Sequence, residues 1–174
     1  MRSAVSRDGE GSEPEVILGI DPGTACTGYG VVARASGGAV SLMECGVIRT
    51  SAADPLAHRV RDIYEGIVDL IDRHRPVAVS VEDVYHGRNA HTALTLGHTR
   101  GVILLAAALR DVPIAEYTAV EIKKAVVGTG KATKGQVGFM VQQQLRLKTA
   151  PTPSDAADGV AAALCHCMAG AFRV

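Results

Sequence analysis

A chain of 174 residues with 47% hydrophobic and 21% charged residues has the length of one domain with a real core, and this composition excludes a largely disordered polypeptide. Eighteen Lys and Arg balance eighteen Asp and Glu, which excludes a uniformly basic nucleic-acid binder while leaving local patches open. The longest apolar run, Val102 to Leu109, is eight residues against the roughly 20 that a membrane span needs, and no long apolar core follows the first basic residues, so a soluble cytoplasmic protein without a secretory signal or membrane association is expected.

Residues 1–15 are acidic and rich in Gly, Ser and Pro, which predicts a flexible extension ahead of a domain at 16–174. Val16 to Ile20 is a β-branched apolar run closed by Asp21-Pro22-Gly23, a strand ending in a turn. Gly28 to Ala33 and Val40 to Ile48 read as two more strands, and with no helix-length segment between them the three form an antiparallel meander. Asp54-Pro55 supplies an N-cap and a helix-starting proline, after which Leu56, Val60, Ile63, Ile67, Leu70 and Ile71 mark one face of a helix running to about His74. Val77 to Val81 is a fourth strand whose continuous small apolar character suits a central place in a sheet.

Tyr85 to Asn89 reads as a loop, Thr92 to Leu109 as a long helix that is apolar almost all round, and Pro113 to Tyr117 as a fifth strand. A short helix carries Ile122 to Val127 and ends at Gly128-Thr129-Gly130. Thr133 caps a helix from Lys134 to about Leu147, Pro151-Thr152-Pro153 is a hinge, and Ser154 caps a last, Ala-rich helix that ends near Gly170. The order β-β-β-α-β-α-β-α-α-α predicts an α/β fold, a mixed five-stranded sheet with helices on both faces.

Four carboxylates stand where such a fold gathers ligands. Asp21 and Glu82 close strands one and four, and Asp155 and Asp158 share one face of the first turn of the last helix. Singly, each has a structural role available, as a turn residue, a solvated acid or a partner for the helix dipole. Together they would repel, since two unit charges 4 Å apart cost about 4 kcal/mol at an effective dielectric of 20. Protonation or bound cations relieve such a cluster, and oxygen-only ligands select hard Mg²⁺ or Mn²⁺. Residues 119–150 carry six cations (Lys123, Lys124, Lys131, Lys134, Arg146 and Lys148) against Glu121 alone. Acids for metals beside cations for phosphates is the layout of a nuclease.

Other patterns fail on inspection. Gly28 to Ala33 matches a loose dinucleotide-binding pattern but lies inside a strand instead of opening a helix. Gly130-Lys131 resembles a phosphate loop, yet positions 125 and 132 are both Ala. Cys165-His166-Cys167 has the wrong spacing for zinc, and all four cysteines read as structural thiols. The six histidines show no ligand spacing.

Four blocks, Ile17 to Gly23, Val81 to Tyr85, Lys123 to Gly130 and Ser154 to Ala161, resemble in order and spacing the RuvC family of Holliday-junction resolvases over about residues 16–170. The resemblance implies a ribonuclease H-like fold and a homodimer that nicks two opposed strands of a four-way DNA junction symmetrically, in recombination and repair. It implies Asp21, Glu82, Asp155 and Asp158 as catalytic carboxylates for two Mg²⁺ or Mn²⁺ ions, with Asp21 bridging both. Lys123 and Lys134 fall on the family's phosphate-binding lysines, with Lys124 and Lys131 as further cations. Tyr85 takes the place of an aromatic that stacks on a base near the junction centre, and Arg88 in the same loop is another candidate DNA contact. The family works beside the RuvA–RuvB branch-migration complex. On the physical side, a two-fold axis would supply paired active sites, and the surplus apolar face of helix 92–109 is the expected dimer contact. An actin-like ATPase, a non-catalytic junction binder and an RNA–DNA hybrid nuclease are the competing assignments at this point.

Overall fold

The computed structural model describes residues 13–83 and 90–169. Five strands, β1 (Glu15–Asp21), β2 (Cys26–Arg34), β3 (Val40–Arg49), β4 (Ala78–Asp83) and β5 (Ile114–Thr118), form one sheet in the order β3-β2-β1-β4-β5. The meander β1-β2-β3 is antiparallel as expected, and β4 and β5 join parallel to β1. Five helices follow the predicted order: α1 (Leu56–His74), α2 (Ala90–Ala108), α3 (Ala119–Val127), α4 (Lys134–Gln144) and α5 (Ser154–Ala169).

The period of two along β1 splits the core. Ile17 points to α5, α3 and α4, where it packs with Val32, Val126, Val141 and Leu164. Leu18 and Ile20 point the other way, to Ile63, Ile67 and Leu70 of α1 and Ile103 and Ala107 of α2. A central strand covered on both faces carries an unbroken apolar run, as Val16–Ile20 does. β1 holds the centre, and β4 has the interior place expected of it, between β1 and β5.

Three local expectations change. Pro55, not Asp54, is the N-cap of α1 and no side chain caps that end; the Pro55 carbonyl accepts His58 N (3.0 Å) and Arg59 N (3.2 Å) instead. Helix α4 stops at Gln144 rather than about Leu147, because Arg146 turns into the left-handed region (φ 52). Ser154 is the first residue of α5 rather than its cap, and the Pro153 carbonyl accepts Ala156 N (3.0 Å). Thr133 caps α4 as expected, in a reciprocal capping box with Gln136.

Glu44 ties the edge of the sheet to α1. Its carboxylate accepts from Tyr29 Oη (2.9 Å) and from Arg73 Nη1 (2.8 Å) and Nη2 (3.2 Å), and lies 2.8 Å from His74 Nε2. The Arg73 hydrogen bonds, ahead of those from His74 and Tyr29, hold the carboxyl at about 2 against its partial burial. Because the folded value lies below the ordinary 4.5, the stabilisation is complete above pH 4.5 and is lost as pH falls toward 2. Glu44→Gln is expected to cost about 1–2 kcal/mol at pH 7. In urea titrations the gap between variant and wild type should close as pH approaches 2; an equal gap at every pH would contradict this account.

Candidate active site

The site forms where the carboxyl ends of β1 and β4 meet the start of α5. Asp21 and Glu82 alternate with inward residues so that both face α5, since Ile20 and Val81, one position earlier, face α1 and α2. Helix α5 can approach because its path over β2 is paved with glycine. A Cβ on Gly28 would sit 1.8 Å from the Asp155 carbonyl oxygen, and one on Gly159 would sit 2.6 Å from Tyr29 backbone atoms. Buried Ser80 completes the seat by donating to the Ala162 carbonyl at 2.7 Å. The glycines of β2 are therefore a packing device, which explains why that pattern is not a nucleotide loop.

This close approach delivers oxygens of Asp21, Asp155 and Asp158 to within 4.8 Å of one another. Glu82 is not in that triplet but lines the same cleft of about 120 Å³, together with Asp21, Asp158, Lys123 and Lys134. Burial first, then the charges of Glu82, Asp158 and Asp155, push the Asp21 carboxyl up to about 8, while Lys134 pulls it down. Burial and Asp158 likewise raise Glu82, against Lys134 and Lys123. The Lys134 ammonium donates to Asp158 Oδ2 at 2.8 Å and lies 3.6 Å from Asp155 Oδ1, and the Asp158 hydrogen bond raises its own pKa. An ammonium bridging two carboxylates marks where positive charge is favoured, and an all-oxygen donor set suits a hard divalent cation. Asp21, Asp155 and Asp158, with Glu82 lining the same cleft, fit such a metal.

Of the basic residues, Lys123 is half-buried on the cleft wall and Lys134 reaches the acids. Lys124 and Lys131 are exposed and do not line the cleft. Tyr85 and Arg88 lie outside the described residues. Cys165 and Cys167 are buried, and burial raises both thiols to about 11, consistent with structural roles.

Two features of the site carried no sequence signal. Cys26, at the start of β2, stands beside Asp155, and burial together with that neighbouring carboxylate raises its thiol pKa. The turn after Asp21 is held by threonines far apart in the chain. Thr24 Oγ1 meets buried Thr99 Oγ1 of α2 at 2.8 Å, Thr27 Oγ1 donates to the Gly23 carbonyl at 2.7 Å, and Thr50 Oγ1 donates to the Thr24 carbonyl at 2.5 Å. Thr50 and Thr99 could have been read only as turn and helix residues, because the Thr24 they meet lies 26 and 75 positions away.

Comparison with known proteins places this geometry. The family model described as crossover junction endodeoxyribonuclease RuvC matches residues 17–166. RuvC of Pelotomaculum thermopropionicum is 48% identical over 87% of this chain and 92% of its own length. RuvC of Moorella thermoacetica is 48% identical over 91% and 94%. The Thermus thermophilus RuvC structure superposes with a TM-score of 0.83 at 38% identity, covering 90% of this chain and 96% of that one. The same protein in complex with Holliday junction substrate gives 0.83 at 34% identity, covering 91% and 96%. The matched stretch runs from the first strand through the acids of the last helix, and the sheet is that of the ribonuclease H-like fold. The chain belongs to the RuvC family of crossover junction endodeoxyribonucleases.

Proposed function

We propose that this protein resolves four-way DNA junctions in recombination and repair by nicking two opposed strands symmetrically, with two Mg²⁺ or Mn²⁺ ions in each active site. The observation that carries this reading is the convergence of Asp21, Asp155 and Asp158 within 4.8 Å, at a cleft that Asp21 and Asp158 line together with Glu82, Lys123 and Lys134. The junction complex of the Thermus relative supports the substrate.

Asp21, Asp155, Asp158 and Glu82 would hold the cations. When bound, the ions supply charge neutralisation at the attacking and leaving oxygens of the phosphodiester. Negative charge left on the acids opposes a phosphate, so bound cations would favour entry of the scissile phosphate into the cleft. Lys134 then loses its reason to pair with Asp158 and is free to hold phosphate, alongside Lys123 on the wall. Asp21 sits on the central strand with its turn pinned by Thr24, Thr27 and Thr50, which suits the bridging position. Tyr85 and Arg88 are assigned to the junction centre by family position, and Lys124 and Lys131 to outer phosphates.

Symmetric cutting asks for a two-fold dimer. On α2, Leu94, Gly97, Gly101, Leu105 and Ala108 form an exposed face, with Leu94 65% and Leu105 50% exposed and open space above both glycines. Thr99, Ile103, Ala106 and Ala107 serve the core from the other side. That uncovered face supports α2 as the homodimer contact. A protein that acts on chromosomal junctions would work in the cytoplasm, beside the RuvA–RuvB branch-migration complex. Among the described residues no helix is long and apolar enough to cross a membrane.

The test is cleavage of a synthetic four-way junction with each strand labelled in turn, in Mg²⁺ or Mn²⁺, together with sedimentation. Paired nicks at matching positions in two opposed strands, from a protein of about twice 18.1 kDa, are expected. Uncut junctions or nicks unrelated between strands would refute the reading.

A further inference from the structure

The positive charge recognised so far lies on one side of the acids, on α3 and α4, whose Lys123 and Lys134 line the cleft with residues of β1, β4 and α5 and none of β2 or β3. The sheet's order and register place a second cation on the other side. Asp21 pairs with Gly28, and two residues further along β2 Cys26 pairs with Arg49, the last residue of β3. Directly paired residues share a face, and Gly28 faces α5 beneath Asp155. Arg49 therefore stands on the same face as Asp21 and Glu82, at the same end of the sheet, with Cys26 between it and the acids.

Its backbone is fixed. Thr50 N donates to the Ala25 carbonyl (3.1 Å), Thr50 Oγ1 donates to the Thr24 carbonyl, and Arg59 Nε of α1 donates to Thr50 Oγ1 (3.0 Å). Its charge is open. Arg34, Arg61, Arg73, Arg100 and Arg110 have carboxylate partners, whereas exposed Arg49, like Arg59, Arg75 and Arg146, makes no ion pair among the described residues. An anchored strand end carrying a free guanidinium presents five donors in a fork suited to phosphate.

We infer that Arg49 binds a backbone phosphate of the cut strand on the flank opposite Lys123 and Lys134, so that the strand crosses the acids held at both ends. The inference rests on the junction-cutting reading. With the acids neutralised by cations, the rim offers two attractive points rather than one, and two points fix the strand's direction over the cleft.

Binding of a labelled junction is measured across a salt series with Ca²⁺ in place of the catalytic cation, for wild type, Arg49→Gln and Arg49→Lys. Arg49→Gln is expected to bind about 3–10-fold more weakly, with the slope of log affinity against log salt reduced by about 1; Arg49→Lys should keep the slope. A neutral methylphosphonate is then scanned over the phosphates flanking the cut. At one position it should weaken wild type and leave Arg49→Gln unaffected. A wild type that binds junctions, with Arg49→Gln unchanged in affinity and slope or equally sensitive at every methylphosphonate position, overturns this inference alone. A wild type that binds no junction overturns the resolvase reading and this inference with it.

Discussion

Asp21→Asn should abolish cleavage and at the same time make the metal-free protein harder to melt. The side chain is pushed up to about 8 by burial and by Glu82, Asp158 and Asp155, whereas in the unfolded chain it titrates near 3.8. A carboxyl raised on folding is one whose ionised form the fold disfavours, so its contribution to stability is best below pH 3.8 and worsens as pH rises toward 8. Asn keeps the shape and removes the charge. A gain of about 1–3 kcal/mol at pH 8 is expected after discounting for solvent and for Lys134, or roughly 3–10 °C in melting temperature, shrinking to nothing near pH 4. Cleavage should fall by about 10³-fold or more, since the proposed bridging ligand is gone. Junction binding should persist, because one less acid faces the phosphates. Mn²⁺ should raise the melting temperature of wild type much more than that of the variant, as binding to the native state alone requires. An Asp21→Asn protein that cuts at the wild-type rate, or that melts lower than wild type in metal-free buffer at pH 8, would be incompatible with the site described here.

Gly28→Ala should lose activity by a different route. The added methyl would lie 1.8 Å from the Asp155 carbonyl oxygen and 2.5 Å from its carbon, both backbone atoms, so no rotamer change relieves the clash. Either β2 bends or the start of α5 lifts. The same turn of α5 carries Asp155 and Asp158, and the metal-holding set would be spread apart. A loss of about 2–4 kcal/mol is expected by urea titration, with cleavage reduced about 100-fold or more under conditions where the variant is still folded. Gly138→Ala in α4 is the matched control. A Cβ there meets nothing within 4 Å, and an alanine inside a helix should stabilise by about 0.5–1 kcal/mol with cleavage unchanged. Equal behaviour of the two variants would show that the seat of α5 is not what aligns the acids.

Much of the architecture is legible in the sequence. Strands β1 to β3 were readable because their apolar runs are separated by spans too short for a helix, and α1 because its buried residues recur every three to four positions. The ends were less so. Asp54 looks like a cap, but the backbone takes its first helical turn one residue later, and Arg146 ends α4 by entering a conformation for which arginine has no preference. The four carboxylates could be nominated because each occupies a strand end or a helix start, positions that an open sheet brings to one rim. What nomination could not supply was distance, which follows from the glycine seam between β2 and α5.

Periodicity, turn chemistry and motif order were thus sufficient for the class of fold, the family resemblance and the choice of acids, because those are properties of neighbours along the chain. Which acids lie within reach of one another, that Lys134 rather than Lys131 contacts them, that Cys26 and a set of threonines stand beside them, and that Arg49 shares their face of the sheet were decided by tertiary structure alone. Those relations depend on strand register and on how closely one helix can lie against a sheet, and register and packing join residues that the linear order holds far apart, such as Asp21 and Asp158.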